Sequence, residues 1–191
     1  MATVDRAAAA RAIEAFLRAL GLDAAQHAEL AGTGVRVADA YADDLCAGYG
    51  VDVDALVRDN VMDGRGGVVI VRRIAVTTMC PHHLMPAIGT ADVAFAPADK
   101  LMGVGSIARV VHAFAQRLAL QETIAEDVVD ALERGLRPAW VACRIDLAHA
   151  CMIARGEREH GARVETLAVR GAITAVEAAM VFRSNTESLP A

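Results

Sequence analysis

The chain has 191 residues, enough for one domain with its own core, and its 19 Lys and Arg against 24 Asp and Glu leave a formal net charge of −5. That balance argues against a general nucleic-acid surface. No apolar run reaches membrane length, and the first residues, Met-Ala-Thr-Val-Asp-Arg-Ala, lack the apolar core of a signal peptide. The expectation is a cytoplasmic protein with neither nucleic-acid nor membrane partners, in which cysteine serves metal binding or chemistry more often than disulfides.

In chain order, Ala9, Ile13, Phe16, Leu17 and Leu20 recur at helical spacing and predict a helix over 5–20, stopped at Gly21. A second helix is predicted over 34–47, with Arg36 near its start and Gly48 at its end. The loop Asp63-Gly-Arg-Gly-Gly67 then separates helices from strands. The β-branched run Val68 to Thr78 predicts a strand and Gly89 to Ala96 its partner, with Cys80-Pro81-His82-His83 in the connection. Two helices follow, Ser106 to Leu118 and Gln121 to Arg134, with Gly135 and Pro138 at the exit. Residues 139–150 and 163–170 read as a second strand pair, Ala172 to Val181 as a helix, and Ser184 to Ala191 as a frayed end. Pattern alone supports an α+β chain. Hydrophobic residues make up 55% of it but aromatics only 4%, so helix contacts should be thin and further burial between subunits is expected.

The strongest chemical signal is Cys80-Pro81-His82-His83, followed far downstream by His149-Ala150-Cys151. Zinc favours this mixture of thiolate and imidazole. Two thiolates and one imidazole leave one coordination position open, which separates catalytic from structural zinc. A C-x-x-H step in a turn lets Cys80 and His83 take one ion from one side. The segment from Trp140 reads as a strand running through Cys151, on which His149 and Cys151 share a face. Cys143 has the same parity but lies too far along an extended chain to bind the same ion. It and Cys46 read as inert packing.

Four segments, Cys80-Pro-His-His-Leu84, Gly103-Val-Gly-Ser-Ile-Ala-Arg109, Leu120-Gln-Glu122 and His149-Ala-Cys-Met-Ile-Ala-Arg-Gly156, resemble in order and spacing the motifs of the GTP cyclohydrolase I family. Weaker matches at Thr33-Gly-Val-Arg36 and Val68-Val-Ile-Val71 extend the resemblance to roughly residues 10–173. It implies a tunnelling fold (T-fold), with 1–62 as an N-terminal helical region and 63–191 as the catalytic region, together one domain. It also implies Zn2+ held by Cys80, His83 and Cys151, and hydrolysis of the guanine imidazole ring of GTP at C8 to formate and dihydroneopterin triphosphate. His82, whose side chain diverges from that of His83, and His149 are the expected proton-transfer groups. Gln121 and Glu122 are expected at the guanine, since a carboxylate accepts from both the N1–H and the exocyclic amine. Arg36, Arg109 and Arg155 match arginines that bind the triphosphate. The family assembles as decamers with active sites between subunits, so a homo-oligomer is expected, with Arg36 reaching across a boundary.

Three departures from the family pattern bear on substrate. Aligned without gaps, the family's phosphate-binding lysine becomes Ser106 and its serine Gly105. A Ser/Thr-rich strand becomes Gly161-Ala-Arg-Val-Glu-Thr-Leu-Ala168, with one hydroxyl and an added Glu165. The family's Cys-Glu-His-His is Cys-Pro-His-His. One lost charge-assisted phosphate contact is worth roughly 1.5–3 kcal/mol, and Arg163 and Arg170 are nearby cations available to compensate. Two alternatives therefore stand beside a GTP enzyme: a paralogue acting on a guanine-type purine with fewer phosphates or none, and a non-catalytic T-fold protein with structural zinc.

Overall fold

The computed structural model describes residues 4–23, 25–174, 177 and 181. Helix α1 (Arg6–Ala19) starts where the Asp5 carboxylate accepts from the Ala8 N–H at 2.8 Å, an N-cap that satisfies an otherwise orphaned donor. It packs on α2 (Thr33–Ala40). The expected second helix does not run on to residue 47. At Tyr41–Leu45 the chain widens into a π-turn, where the Cys46 N–H reaches the Tyr41 carbonyl at 2.8 Å, and a 3₁₀ turn over Ala47–Gly50 follows. The short α3 (Val53–Arg58), capped by Asp52, went unpredicted.

Beyond it lie β1 (Val61–Asp63), β2 (Val69–Met79), β3 (Pro86–Ala96), β4 (Lys100–Met102), α4 (Val104–Ala115), α5 (Gln121–Leu136), β5 (Trp140–His149), the short α6 (Ala150–Ile153) and β6 (Val164–Gly171). Strands β2-β3-β5-β6 form one antiparallel sheet in that order, and β1 pairs with β4. This is the strand–strand–helix–helix–strand–strand order of the α+β tunnelling fold. Helices α4 and α5 cover one face. The core there joins Ile107, Val110, Val111, Ile124, Val128 and Leu132 to Val93, Phe95, Val141, Ile145 and Leu147. On β5 the odd-numbered residues face the helices, as the period of two requires. Trp140, Ala142 and Ala94 form a smaller cluster on the opposite face. Val181, in a helical residue of the tail, joins that cluster. Of the tail expected as a helix over 172–181, residues 175, 176 and 178–180 lie outside the described ones, as does the expected frayed end from 184.

Strand β2 carries a bulge that the β-branched run concealed. Its register against β3 shifts between Val71 and Ile74, and Arg73 takes φ +56°. The core-facing set changes from Val69 and Val71 to Ile74, Val76 and Thr78, the parity change an extra residue produces. The Arg73 N–H is taken by the Asp92 carboxylate at 2.8 Å. The N-terminal region docks on α4 at Gly48, where a Cβ would stand 2.3 Å from the Ala113 carbonyl. Glycine there lets the Gly48 N–H reach the Gln116 carbonyl at 3.0 Å. Among the described residues no helix is long and apolar enough to cross a membrane.

Candidate active site

Three chain segments converge at one end of the four-stranded sheet. The first is the β2–β3 connection, Cys80 to Met85. It is closed by the Cys80 N–H to the Met85 carbonyl at 3.0 Å and the Leu84 N–H to the Cys80 carbonyl at 2.9 Å, with Leu84 at φ +51°. The Tyr41 hydroxyl, from the π-turn, donates to the Leu84 carbonyl at 3.0 Å and ties this loop to the N-terminal region. No sequence signal marked Tyr41.

The second segment is the approach to α5. The Ala119 N–H bonds the Met79 carbonyl at 3.2 Å and Thr78 Oγ1 donates to the Arg117 carbonyl at 3.3 Å. These contacts set Gln121 and Glu122, the first residues of α5, beside Cys80. The third is the end of β5, where His149 pairs with Ala87 of β3.

Here the structure corrects the strand reading. β5 stops at His149, and Cys151 sits on the helical turn Ala150–Ile153, so the two do not share a strand face. The ladder ends because the next β3 residue in register is Pro86, which has no N–H to give, while β6 begins only opposite Leu147. The turn still delivers the thiol. Donor atoms of Cys80, His83 and Cys151 all lie within 4.8 Å of one another, and Cys80 Sγ is 3.9 Å from His83 Nδ1. Bonds of about 2.3 Å to sulfur and 2.0–2.1 Å to nitrogen give tetrahedral edges of roughly 3.6–3.8 Å. The donor set therefore fits zinc in both chemistry and spacing. Burial and the neighbouring Cys80 raise the Cys151 thiol above its ordinary range. Cys143 is fully buried and pushed up to about 12 by burial and by Asp92, an inert packing thiol.

Around this trio a pocket of about 230 Å³ gathers His82, Gln121, Glu122 and His149 with the three donors. His82 is exposed and His149 half-buried. Burial lowers the His149 pKa, and the Glu122 carboxylate opposes that shift. His149 Nε2 lies 2.8 Å from Gln121 Oε1.

The sequence profile of the family described as GTP cyclohydrolase I matches residues 9–185. The chain is 38% identical over 173 residues to GTP cyclohydrolase 1 of Leifsonia xyli subsp. xyli, covering 90% of each chain. It is 37% identical over 169 residues to that of Allorhizobium ampelinum, covering 87% of this chain and 83% of the relative. Against the protein of the same name from Brucella anthropi, identity is 40% over 164 residues, covering 83% and 76%. The chain belongs to the GTP cyclohydrolase I family. It is thereby a hydrolase of the class that opens cyclic amidines.

None of the three expected cations of this family member lines the pocket. Arg36 is exposed and bonds the Ala31 carbonyl at 2.9 Å and Thr33 Oγ1 at 2.8 Å. Arg109, on α4, donates through one Nη to Ser106 Oγ at 2.7 Å and to Asn60 Oδ1 at 2.9 Å. Ser106 is itself buried and donates to Asn60 Oδ1 at 2.8 Å. Asn60, a residue the motifs did not mark, thus organises the position where the family carries lysine. Arg155 is exposed, and its charge is felt at the Cys151 thiol. Arg163 bonds Asp146 and Arg170 bonds Glu126, so both proposed compensators are already engaged with carboxylates. Gln121, expected at the guanine beside Glu122, has its amide committed within the protein to Ile145, Val164, Thr166 and His149.

Proposed function

We propose that this protein hydrolyses the imidazole ring of GTP at C8, releasing formate and forming dihydroneopterin triphosphate, with zinc held by Cys80, His83 and Cys151. One observation carries the reading: the Cys-His-Cys donor trio shares a pocket with His82, His149 and Glu122, in a chain of this family. Zinc bound there supplies a Lewis acid that activates water at neutral pH. The protein's own groups supply the rest. Glu122 accepts from guanine N1–H and the exocyclic amine, a donor pair adenine lacks. His82 and His149 move protons as the ring opens and the product is rebuilt, and an imidazole suits repeated transfers near neutrality. A purely structural metal would need none of these three side chains.

Arg36, Arg109 and Arg155 are the triphosphate cations in this reading. The pocket within one chain is smaller than the roughly 300–1,000 Å³ of ordinary small-molecule sites, and among the described residues no arginine lines it. Completion by a second subunit accounts for both facts. Among the described residues the sheet also leaves β2 and β6 as open edges, which favour pairing with further copies. A homo-oligomer, of decamer size in this family, with sites at subunit boundaries is therefore part of the proposal, as is a cytoplasmic location.

A second reading, a guanine-type substrate with fewer phosphates or none, is favoured by the Ser106–Asn60–Arg109 cluster. There a neutral side chain replaces a cation, and one arginine nitrogen is spent inside the protein. Mass spectrometry of the products formed from GTP, GMP, guanosine and guanine separates the two. Preferential conversion of GTP supports the first reading, and equal or better use of guanosine or guanine supports the second. If none of the four is converted by zinc-loaded protein, both fail.

A further inference from the structure

The Gln121 side chain is among the few buried polar groups of the described residues, at 2% exposure, and its contacts leave no freedom in how the amide is turned. Nε2 lies 3.0 Å from the Ile145 carbonyl of β5 and 2.8 Å from the Val164 carbonyl of β6, with Thr166 Oγ1 at 3.3 Å. Main-chain carbonyls only accept, so the amide nitrogen must occupy that side. The opposite orientation would set an oxygen against two oxygens in a buried place and leave both carbonyls without a donor. The amide oxygen is therefore the atom facing His149, 2.8 Å from its Nε2. An amide oxygen also only accepts, so His149 Nε2 must carry the hydrogen. In a neutral imidazole the other nitrogen, Nδ1, then holds the lone pair.

We propose that Gln121 is a positioning residue that fixes His149 as the Nε2–H tautomer and leaves Nδ1 as the nitrogen that meets the substrate. This rests on the proton-transfer role proposed for His149 above. It takes the Gln121 side chain away from the guanine and leaves Glu122 as the side chain that reads the base. Two strands and the helix start hold one amide, and that amide holds one ring. Thr166, the one hydroxyl remaining in β6, supports the amide from the third direction.

The direct test is solid-state 15N NMR of the full-length, zinc-loaded protein labelled at histidine, with the His149 signals assigned by their loss in His149→Asn. The expected result is a protonated Nε2 and an unprotonated Nδ1 at this ring. A His149 resonance pair of the Nδ1–H tautomer overturns the assignment. Kinetics give an independent arm. In Gln121→Ala, with zinc content unchanged, kcat should fall at least about tenfold, within the roughly 10²–10⁴-fold that general acid–base help supplies, while KM for GTP stays within about threefold. A raised KM with kcat retained would return Gln121 to the base and overturn the proposal. If Gln121→Ala does not fold, the wild-type tautomer decides alone. A zinc-loaded wild type that converts no guanine compound overturns the functional reading, while the NMR signature still decides this one.

Discussion

The two ends of the proposed site are built in different ways. At the metal and base end, three segments of a single chain deliver Cys80, His83, Cys151, His149 and Glu122 to one small pocket. At the phosphate end, Arg36 and Arg109 lie outside that pocket and are tied to local partners. The reason is topological. The first end sits where β2 and β5 finish and β3 begins, beside the start of α5. The second draws on α2, the middle of α4 and the stretch after Cys151, and none of these arginines lines the pocket. In the proposed reading a single chain assembles the metal and base end, and a second subunit completes the grip on the polyanion. A change at the first end should lower turnover of every guanine compound, whereas a change at the second should redistribute substrate preference.

The largest expected effect is at the metal. Cys80→Ala or Cys151→Ala should lose the about one zinc per chain expected of the wild type, and turnover with it, whereas Cys143→Ala should keep both. Elemental analysis of the purified variants checks this, and full zinc in Cys80→Ala would remove that residue from the donor set. Next come the imidazoles. His82→Ala and His149→Ala should retain zinc yet lose roughly 10²–10⁴-fold in kcat, and near-normal rates with stoichiometric metal would reduce both to scaffolding. Glu122→Gln should cost about 1–3 kcal/mol in discrimination, because an amide turns an NH₂ against one of the two guanine donors. Measured as kcat/KM this is roughly 5–150-fold, and an unchanged preference for guanine compounds would reject the base-reading role.

The smallest and most discriminating changes lie at the phosphate end. Arg109→Ala should raise KM for GTP by about tenfold or more, from roughly 1.5–3 kcal/mol of lost charge-assisted contact, and alter guanosine little. Ser106→Lys, which restores a cation beside Arg109, should lower KM for GTP. If neither substitution separates GTP from guanosine, the contrast between the two ends fails and the substrate carries fewer phosphates.

The grouping of Cys80, His83 and Cys151 was legible in the sequence because these candidate donors sit in two tight Cys/His clusters whose residue types are chemically specific. The antiparallel strand pairs and two long helices were legible from β-branched runs and helical spacing. What escaped was whatever depends on pairing partners distant in sequence. The end of β5 at His149 is set by Pro86 on another strand, so a local reading carried the strand one turn too far to Cys151. The parity change in β2 comes from a bulge that composition does not mark. Gln121 is expected at the guanine because it adjoins Glu122, while its bonds to Ile145, Val164 and His149, none of them close in sequence, left no local signal. Asn60 and Tyr41 had no signal, since side-chain bonds to partners distant in sequence, Ser106 and Arg109 for Asn60 and the Leu84 carbonyl for Tyr41, leave no pattern.

The central claim is that C8 of the guanine ring leaves as formate. Zinc-loaded protein given GTP labelled with 13C at C8 should release labelled formate in step with dihydroneopterin triphosphate, both followed by mass spectrometry. Stoichiometric zinc with no labelled formate from GTP, or from GMP, guanosine or guanine labelled at the same carbon, would contradict it.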